Sequence, residues 1–163
     1  LGEFTDGSRH GEKDFFMPRI HLHIIVEDLA VGIRFYSLLL GSGPTLEKAD
    51  YAEWELESPP VNLDISTRGR VPGLDHVGIQ FETDAELEAL QARLEDAGYN
   101  GLAQQATSCC YERSNKYWML DPAYISWELF HSLQPIDHFS DDEQSGNGCC
   151  GPFAAEGSCK IGN

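Results

Sequence analysis

Nowhere do the 163 residues hold an apolar run that could cross a bilayer: the longest aliphatic stretch, Leu38 to Leu40, falls far short of the ~18 residues a span requires. Basic residues are scarce as well. Eleven Lys and Arg stand against 27 Asp and Glu, a net charge of -16 that repels phosphate backbones and anionic lipid alike, so neither nucleic acid nor a membrane is expected as a partner. A basic segment followed by an apolar one, the mark of a secretory signal, is missing from the first residues. That points to the cytoplasm, where cysteines stay reduced. What is present is ordinary for a soluble fold, 41% hydrophobic and 23% charged, and long enough for one domain or two small fused modules, as a monomer or homodimer.

Cysteine is the exception. Four of the five are sequence neighbours, Cys109 with Cys110 and Cys149 with Cys150. Neighbouring cysteines join only through a strained ring, so the pairs read as free thiols suited to soft metals.

Hydrophobic patterning divides the chain in three. Residues 1–16 show no period and read as a leader or vector-derived segment, with Met17 as the natural start. From residue 134 the chain turns acidic and Gly/Ser-rich, with too few apolar residues to repay ordering, which marks 134–163 as a flexible tail. Between them, 17–133 reads as the folded domain, in modules of about 17–68 and 74–133. Each half runs βαβββ. The first has a strand at Ile20 to Val26 and a helix from the N-cap Asp28 to Leu40, with Leu29, Ile33, Phe35, Tyr36 and Leu40 on its apolar face. Gly41 stops that helix, and strands follow near 44–47, 51–56 and 61–66. The second has a strand at Leu74 to Phe81, a helix over 84–97 carrying Leu87, Leu90 and Leu94, and strands near 101–107, 111–120 and 124–131. The matching openings IHLHIIVEDL and LDHVGIQFET make a repeat of about 55 residues. The fold class expected is therefore α+β, two βαβββ modules enclosing a cleft.

Equivalent positions of a two-fold repeat converge across such a cleft. His21 and His76 are such a pair, and Glu128 in YISWELF is a carboxylate among apolar neighbours that needs its charge compensated. Two imidazoles and one carboxylate on three strands make a facial triad with open corners, the donor set of non-haem Fe(II) enzymes. His23 shares the face of His21 and is an alternative ligand. Asp64 in VNLDIS matches Glu128 if the halves align without gaps, giving the fourth ligand that a Zn or Ni lyase would want. Lys116 can attract an anionic group, and Tyr111, Tyr117 and Trp118 can wall the cleft. His131 and His138, at the domain edge and beyond, and His10 in the leader read as solvated.

The phrases HLHIIVEDLAVGIRFYSLLLG, LDHVGIQFET and LDPAYISWELF, over residues 17–133, resemble the vicinal-oxygen-chelate superfamily of glyoxalases, extradiol dioxygenases and bleomycin- and fosfomycin-resistance proteins. TSCCYERSNKYWMLDPAYISWELF and the tail GCCGPFAAEGSC are similar to carbon-arsenic lyases of the ArsI type and the cadmium-induced (CadI-like) proteins. That resemblance implies Fe(II) as cofactor on His21, His76 and Glu128, and a trivalent organoarsenical such as methylarsonite bound by Cys109 and Cys110. It further implies O2 as co-substrate and arsenite as product. The chemistry agrees: trivalent arsenic with one carbon substituent has two exchangeable oxygen ligands, and two thiolates saturate it. Strand alternation would separate neighbouring side chains, so the pair must occupy a loop or bulge to chelate. Two alternatives stand beside this expectation: a thiol protein that sequesters Cd(II) or As(III) without turnover, and another metal-dependent dioxygenase or resistance enzyme. In the tail, Cys149, Cys150 and Cys159 match the three-thiolate preference of inorganic As(III). A Gly/Ser-rich tether of this length reaches roughly 25 Å, enough to capture arsenic and hand it to Cys109 and Cys110.

Overall fold

A computed structural model of the chain describes residues 18–68 and 71–140. The first half comprises β1 (Arg19–Ile25), α1 (Leu29–Leu40), β2 (Leu46–Glu47), β3 (Tyr51–Glu57) and β4 (Pro60–Ser66). The second comprises β5 (Gly73–Phe81), α2 (Asp84–Asp96), β6 (Leu102–Cys109), β7 (Glu112–Leu120) and β8 (Ser126–Pro135). The expected βαβββ order thus occurs twice.

All eight strands form one sheet in the order β2-β3-β4-β1-β5-β8-β7-β6. β1 pairs parallel with β4, β5 pairs parallel with β8, and the halves join where β1 meets β5 antiparallel. In that central pairing His21 lies opposite Gly78 and His23 opposite His76. His21 and His76 are 55 positions apart, so exchanging the halves maps the pairing onto itself. The same two-fold carries the pair His23–Asp64 of β1 and β4 onto the pair Gly78–Glu128 of β5 and β8.

Alternation sorts the two faces of the sheet. On β1 and β4 the inner face carries His21, His23, Asn62, Asp64 and Ser66, all buried, while the outer face carries Leu22, Ile24, Leu63 and Ile65 against α1. α1 starts at Asp28, whose side chain accepts from the Val31 N–H at 3.0 Å, and stops at Gly41, which takes the left-handed φ of 74°. Leu29, Ile33, Tyr36 and Leu40 pack on Trp54 and Ile65. Phe35, grouped with them from sequence, is 58% exposed. Two residues from Ile33 is more than half a helical turn, which puts its ring on the far side. α2 opens with a capping box between Thr83 and Glu86 and packs Leu87, Leu90 and Leu94 on Phe81, Tyr117 and Leu129.

The sheet curls until its two ends meet. Tyr111, in the β6–β7 turn, donates to Asp50 just before β3 at 2.6 Å, and its ring packs against Tyr51. Phe139 closes this seam. It is 3% exposed and packs on Tyr51 and Tyr111, so the ordered packing runs past Leu133, where the composition begins to change, to at least Ser140. Among the described residues no helix is long and apolar enough to cross a membrane.

Gly78 makes the β5–β8 approach possible. A Cβ there would run into the Glu128 carbonyl oxygen, which is backbone and cannot yield without parting the strands, whereas a Cβ on Gly32 clashes with the end of the Ile65 side chain and makes ordinary contact with Val26. Gly78→Ala is expected to cost about 3 kcal/mol or more in denaturant unfolding, against about 1 kcal/mol or less for Gly32→Ala. Equal midpoints for the two variants would contradict the close approach.

Candidate metal centre and thiol cleft

Three buried donors from three central strands converge. His21 Nε2 and His76 Nε2 are 3.1 Å apart, His76 Nε2 and Glu128 Oε2 are 2.9 Å apart, and His21 Nε2 lies 3.5 Å from the same oxygen. Donors bound at about 2.1 Å and at right angles on one metal lie about 3 Å from each other, so the set has the dimensions of one face of a metal's coordination sphere.

The far side of each imidazole is also held. His21 Nδ1 donates to Asn62 Oδ1 at 2.7 Å, and Asn62 is itself fixed by donating from Nδ2 to Glu53 at 2.8 Å. His76 Nδ1 lies 2.8 Å from Asp75 Oδ2. With both Nδ1 atoms engaged as donors, both Nε2 atoms turn lone pairs toward Glu128. Two imidazole nitrogens and a carboxylate facing one another at this range suit a shared cation, so the residues fit a divalent metal. Burial and the neighbouring His76 lower His21 to about 4, leaving it neutral and ready to ligate. Burial alone would depress His76, but Asp75 and Glu128 outweigh it and raise the ring. Burial would raise Glu128, yet Lys116 and His76 hold it well below the usual carboxylate range.

Lys116 is buried rather than exposed, and its ammonium donates to Glu128 Oε1, leaving Oε2 for the metal position. There it fixes the Glu128 carboxylate in place. Trp118 stands edge-on to His76 with ring centroids 5.1 Å apart, and Phe130 stands edge-on to His21 at the same separation. Tyr117 faces the other way, into the α2 core, where its hydroxyl accepts from the Gly101 N–H at 2.6 Å.

The two cysteines meet at the β6–β7 turn. Cys109 pairs with Glu112, so the hairpin loop is the dipeptide Cys110-Tyr111. Both residues have positive φ, 57° and 64°, the conformation of a type I′ turn. That turn defeats strand alternation and brings the sulfurs within 3.0 Å of each other. Positive φ is costly for side chains of this size, and the Tyr111 contacts across the seam hold it in place. Cys110 is a free thiol pushed well above its usual range, chiefly by burial. Cys109, expected free, is disulfide-bonded, so use of the pair as a chelate starts from its reduced form.

Both cysteines, the triad, Lys116, Asp64, Tyr51 and Glu53 line one cavity of about 100 Å³. Asp64 occupies the position equivalent to Glu128, although the halves do not align without gaps, since the offset is 55 residues at the histidines and 64 here, and it stays outside the converging triad. His23 sits behind His76, its Nε2 bonded to the Ser66 hydroxyl at 3.0 Å, and belongs to a second cluster with Asp75 and His76. His131, expected to be solvated, is paired with Asp84 at 3.0 Å. His10, Cys149, Cys150 and Cys159 lie outside the described residues. The sequence reading missed Asn62, Asp75, Glu53 and Tyr51. A signal existed for the first of these: polar Asn62, Asp64 and Ser66 alternate with apolar Val61, Leu63 and Ile65, the pattern of a strand whose polar side is enclosed.

Fold and donor set together are those of the vicinal-oxygen-chelate arrangement, two βαβββ modules around a cleft whose three converging donors could hold a metal ion. Structural likeness extends to homoprotocatechuate 2,3-dioxygenase from Arthrobacter globiformis, with TM-score 0.54, 18% identity, and coverage of 75% of this chain and 38% of that one. It extends also to a Mn(II)-bound glyoxalase from Novosphingobium aromaticivorans, with TM-score 0.52, 17% identity, and coverage of 74% and 42%. No family model matches. Among curated proteins, the trivalent organoarsenical cleaving enzyme of Bacillus sp. (strain MD1) is 35% identical over 140 residues, 82% of this chain and 83% of that protein. The enzyme of the same description from Thermomonospora curvata is 32% identical over 138 residues, 83% and 90%. A cadmium-induced protein of Mycobacterium bovis is 29% identical over 150 residues, 87% and 99%. The chain belongs to the family of trivalent organoarsenical cleaving enzymes.

Two outcomes follow from the residues behind the ligands. Asn62→Ala and Asp75→Ala each remove the partner that orients an imidazole, and each is expected to weaken divalent-metal binding about 10- to 100-fold in a chelator competition; unchanged affinity would deny the orienting role. Glu53 gives a pH dependence. Burial, then the charge of Glu55, raises its carboxyl from 4.5 to about 7, so the folded protein holds this proton more tightly than the unfolded chain does. Stability from this group therefore falls as pH rises from 4.5 through 7. Glu53→Gln, which keeps an acceptor for Asn62, is expected to be more stable than the parent at pH 8, by on the order of 2 kcal/mol, and equal to it near pH 4. Parallel stability curves would contradict this.

Proposed function

We propose that this protein cleaves the carbon-arsenic bond of trivalent organoarsenicals such as methylarsonite, using Fe(II) on His21, His76 and Glu128 together with O2, and releases arsenite. The observation that carries this reading is that two vicinal sulfurs and a two-histidine, one-carboxylate set line the same cavity. Cys109 and Cys110, once both are reduced, replace the two oxygen ligands of arsenic and leave its carbon substituent as the third. A reducing, cytoplasmic setting suits that step. Anchoring by two bonds fixes the arsenic within the cavity, so the carbon is presented to the triad rather than arriving by collision. A bound Fe(II) supplies open coordination corners and reducing electrons for O2. Lys116 keeps Glu128 ionised, and Trp118 and Phe130 shield the imidazoles from water.

Aerobic incubation of Fe(II)-loaded, reduced protein with methylarsonite, followed by arsenic speciation, tests the reading. Arsenite formation with O2 uptake is expected. Alanine at His21, His76 or Glu128 should lower turnover at least about 100-fold, and serine at Cys109 or Cys110 should do the same while Fe(II) stays bound. Full activity in Glu128→Ala would end the metal assignment. Stoichiometric arsenic uptake without product would assign a sequestering protein instead.

A further inference from the structure

α1 and α2 sit at equivalent places, one on the outer face of each half of the sheet, yet the sides they turn to solvent differ. α2 exposes Glu88, Arg93, Glu95 and Asp96 among alanines, the polar surface of a helix whose apolar stripe is used up on its own core. α1 has apolar residues to spare. Leu29, Ile33, Tyr36 and Leu40 pack inward, and on the opposite side Val31, Phe35, Leu38 and Leu39 stand in solvent, Leu38 at 80% and Leu39 at 65% of full exposure. Positions i, i+4, i+7 and i+8 fall on one stripe. Within Leu29–Leu40 the only charge is Arg34, in a chain that holds 27 acidic residues.

Four side chains of this size leave on the order of 400–500 Å² of contiguous apolar surface, the size of patch that usually serves an interaction. One side of a standard dimer interface covers about 800 Å², of which about 65% is apolar where the dimer is a homodimer. The stripe therefore supplies most of the apolar area that a stable dimer needs. Charge narrows the choice of occupant. Anionic lipid repels a chain of net charge -16, and so does a second copy, except where acids are absent. α1 is acid-free. Val31, Phe35 and Leu39 also form a ridge with a spacing of four, the kind that interdigitates with the same ridge of another helix.

We propose that the chain forms a two-fold homodimer in which α1 packs antiparallel against α1 of a second copy, with Phe35 near the axis and Val31, Leu38 and Leu39 around it. Each helix then sets its N-terminal end beside the C-terminal end of the other. That suits a helix with no acidic residue in its first turn and no basic residue in its last, because each dipole is met by the opposed dipole of its neighbour. α1 lies on the outer face of the sheet, away from the cavity, so both cavities stay open in the dimer.

Sedimentation velocity of the full-length chain tests this, with the thiols kept reduced so that no disulfide joins two copies. Twice the chain mass is expected, with a dissociation constant of about 10 µM or below. Because like charges oppose the pairing, raising the salt from about 0.05 M to about 0.5 M should tighten it. Leu38→Lys puts a cation in the last turn of a helix, where the dipole favours it, so circular dichroism and the urea midpoint of the monomer should be unchanged. Burying that ammonium from both copies should raise the dissociation constant at least about 100-fold. Leu38→Met should keep the dimer, and Glu88→Lys, which places the same cation on the exposed face of α2, should leave it intact. A parent chain that stays monomeric at about 100 µM in both salts overturns the proposal, including the case in which residues 1–17 or 141–163 of the same chain cover α1. A dimer that Leu38→Lys does not weaken overturns it too, since the contact then lies on another face.

Discussion

Everything in the site depends on the antiparallel pairing of β1 with β5. Because side chains alternate with a period of two, the register that sets His21 opposite Gly78 and His23 opposite His76 is the one that turns the converging imidazoles of His21 and His76 into the cleft. A one-residue slip would exchange that face for Ile20, Leu22 and Ile24 and place the donors against the helices. The adjoining parallel pair brings Glu128 to Gly78, where the missing side chain lets the β8 backbone come close enough for its carboxylate to reach both imidazoles.

The inner face is electrostatically expensive. Lys116, Glu128, Asp64 and three histidines are buried together, and burying charge in this way rarely stabilises a fold even when pairs form. Stability comes from the outer faces, where Trp54 and Ile65 pack under α1 and Tyr117 and Leu129 pack under α2. The two helical layers therefore carry the cost of a polar interior, and the same low dielectric that makes the interior costly strengthens each interaction within it. Asn62 and Asp75 fix ring orientation, and Lys116 holds the one carboxylate of the triad.

The thiols are tied to the closure of the sheet. Tyr111 takes part in the turn that gathers the sulfurs and in the seam that joins the β6–β7 turn to the start of β3. Curling of the sheet and clustering of the two cysteines are one structural event, with Phe139 covering it from outside. A turn with positive φ at two large residues would open if it stood alone. Held by Tyr51, Asp50 and Phe139, it presents the pair to the cavity.

Periodicity and repetition were enough to determine the secondary-structure order and the two-fold relation of His21 to His76, whereas the equivalence of Asp64 to Glu128, at a different offset, was fixed by the strand pairings. Order and repeat are properties of alternation and of self-similarity, which are local or comparative and survive in one dimension. The end of the packed region was not legible, because Phe139 is a single aromatic in a polar stretch and its burial depends on a seam formed by residues far away in sequence. Nor was the fate of Lys116, whose strand pattern suits an exposed residue equally well until Glu128 is placed beside it. That Asp64 stands apart from the ligand set, that Asn62 and Asp75 stand behind it, and that neighbouring cysteines face one way were decided by tertiary structure alone. Each depends on distances of a few ångströms between separate strands or on the sign of φ in a turn, and neither quantity is written in the spacing of residues along the chain.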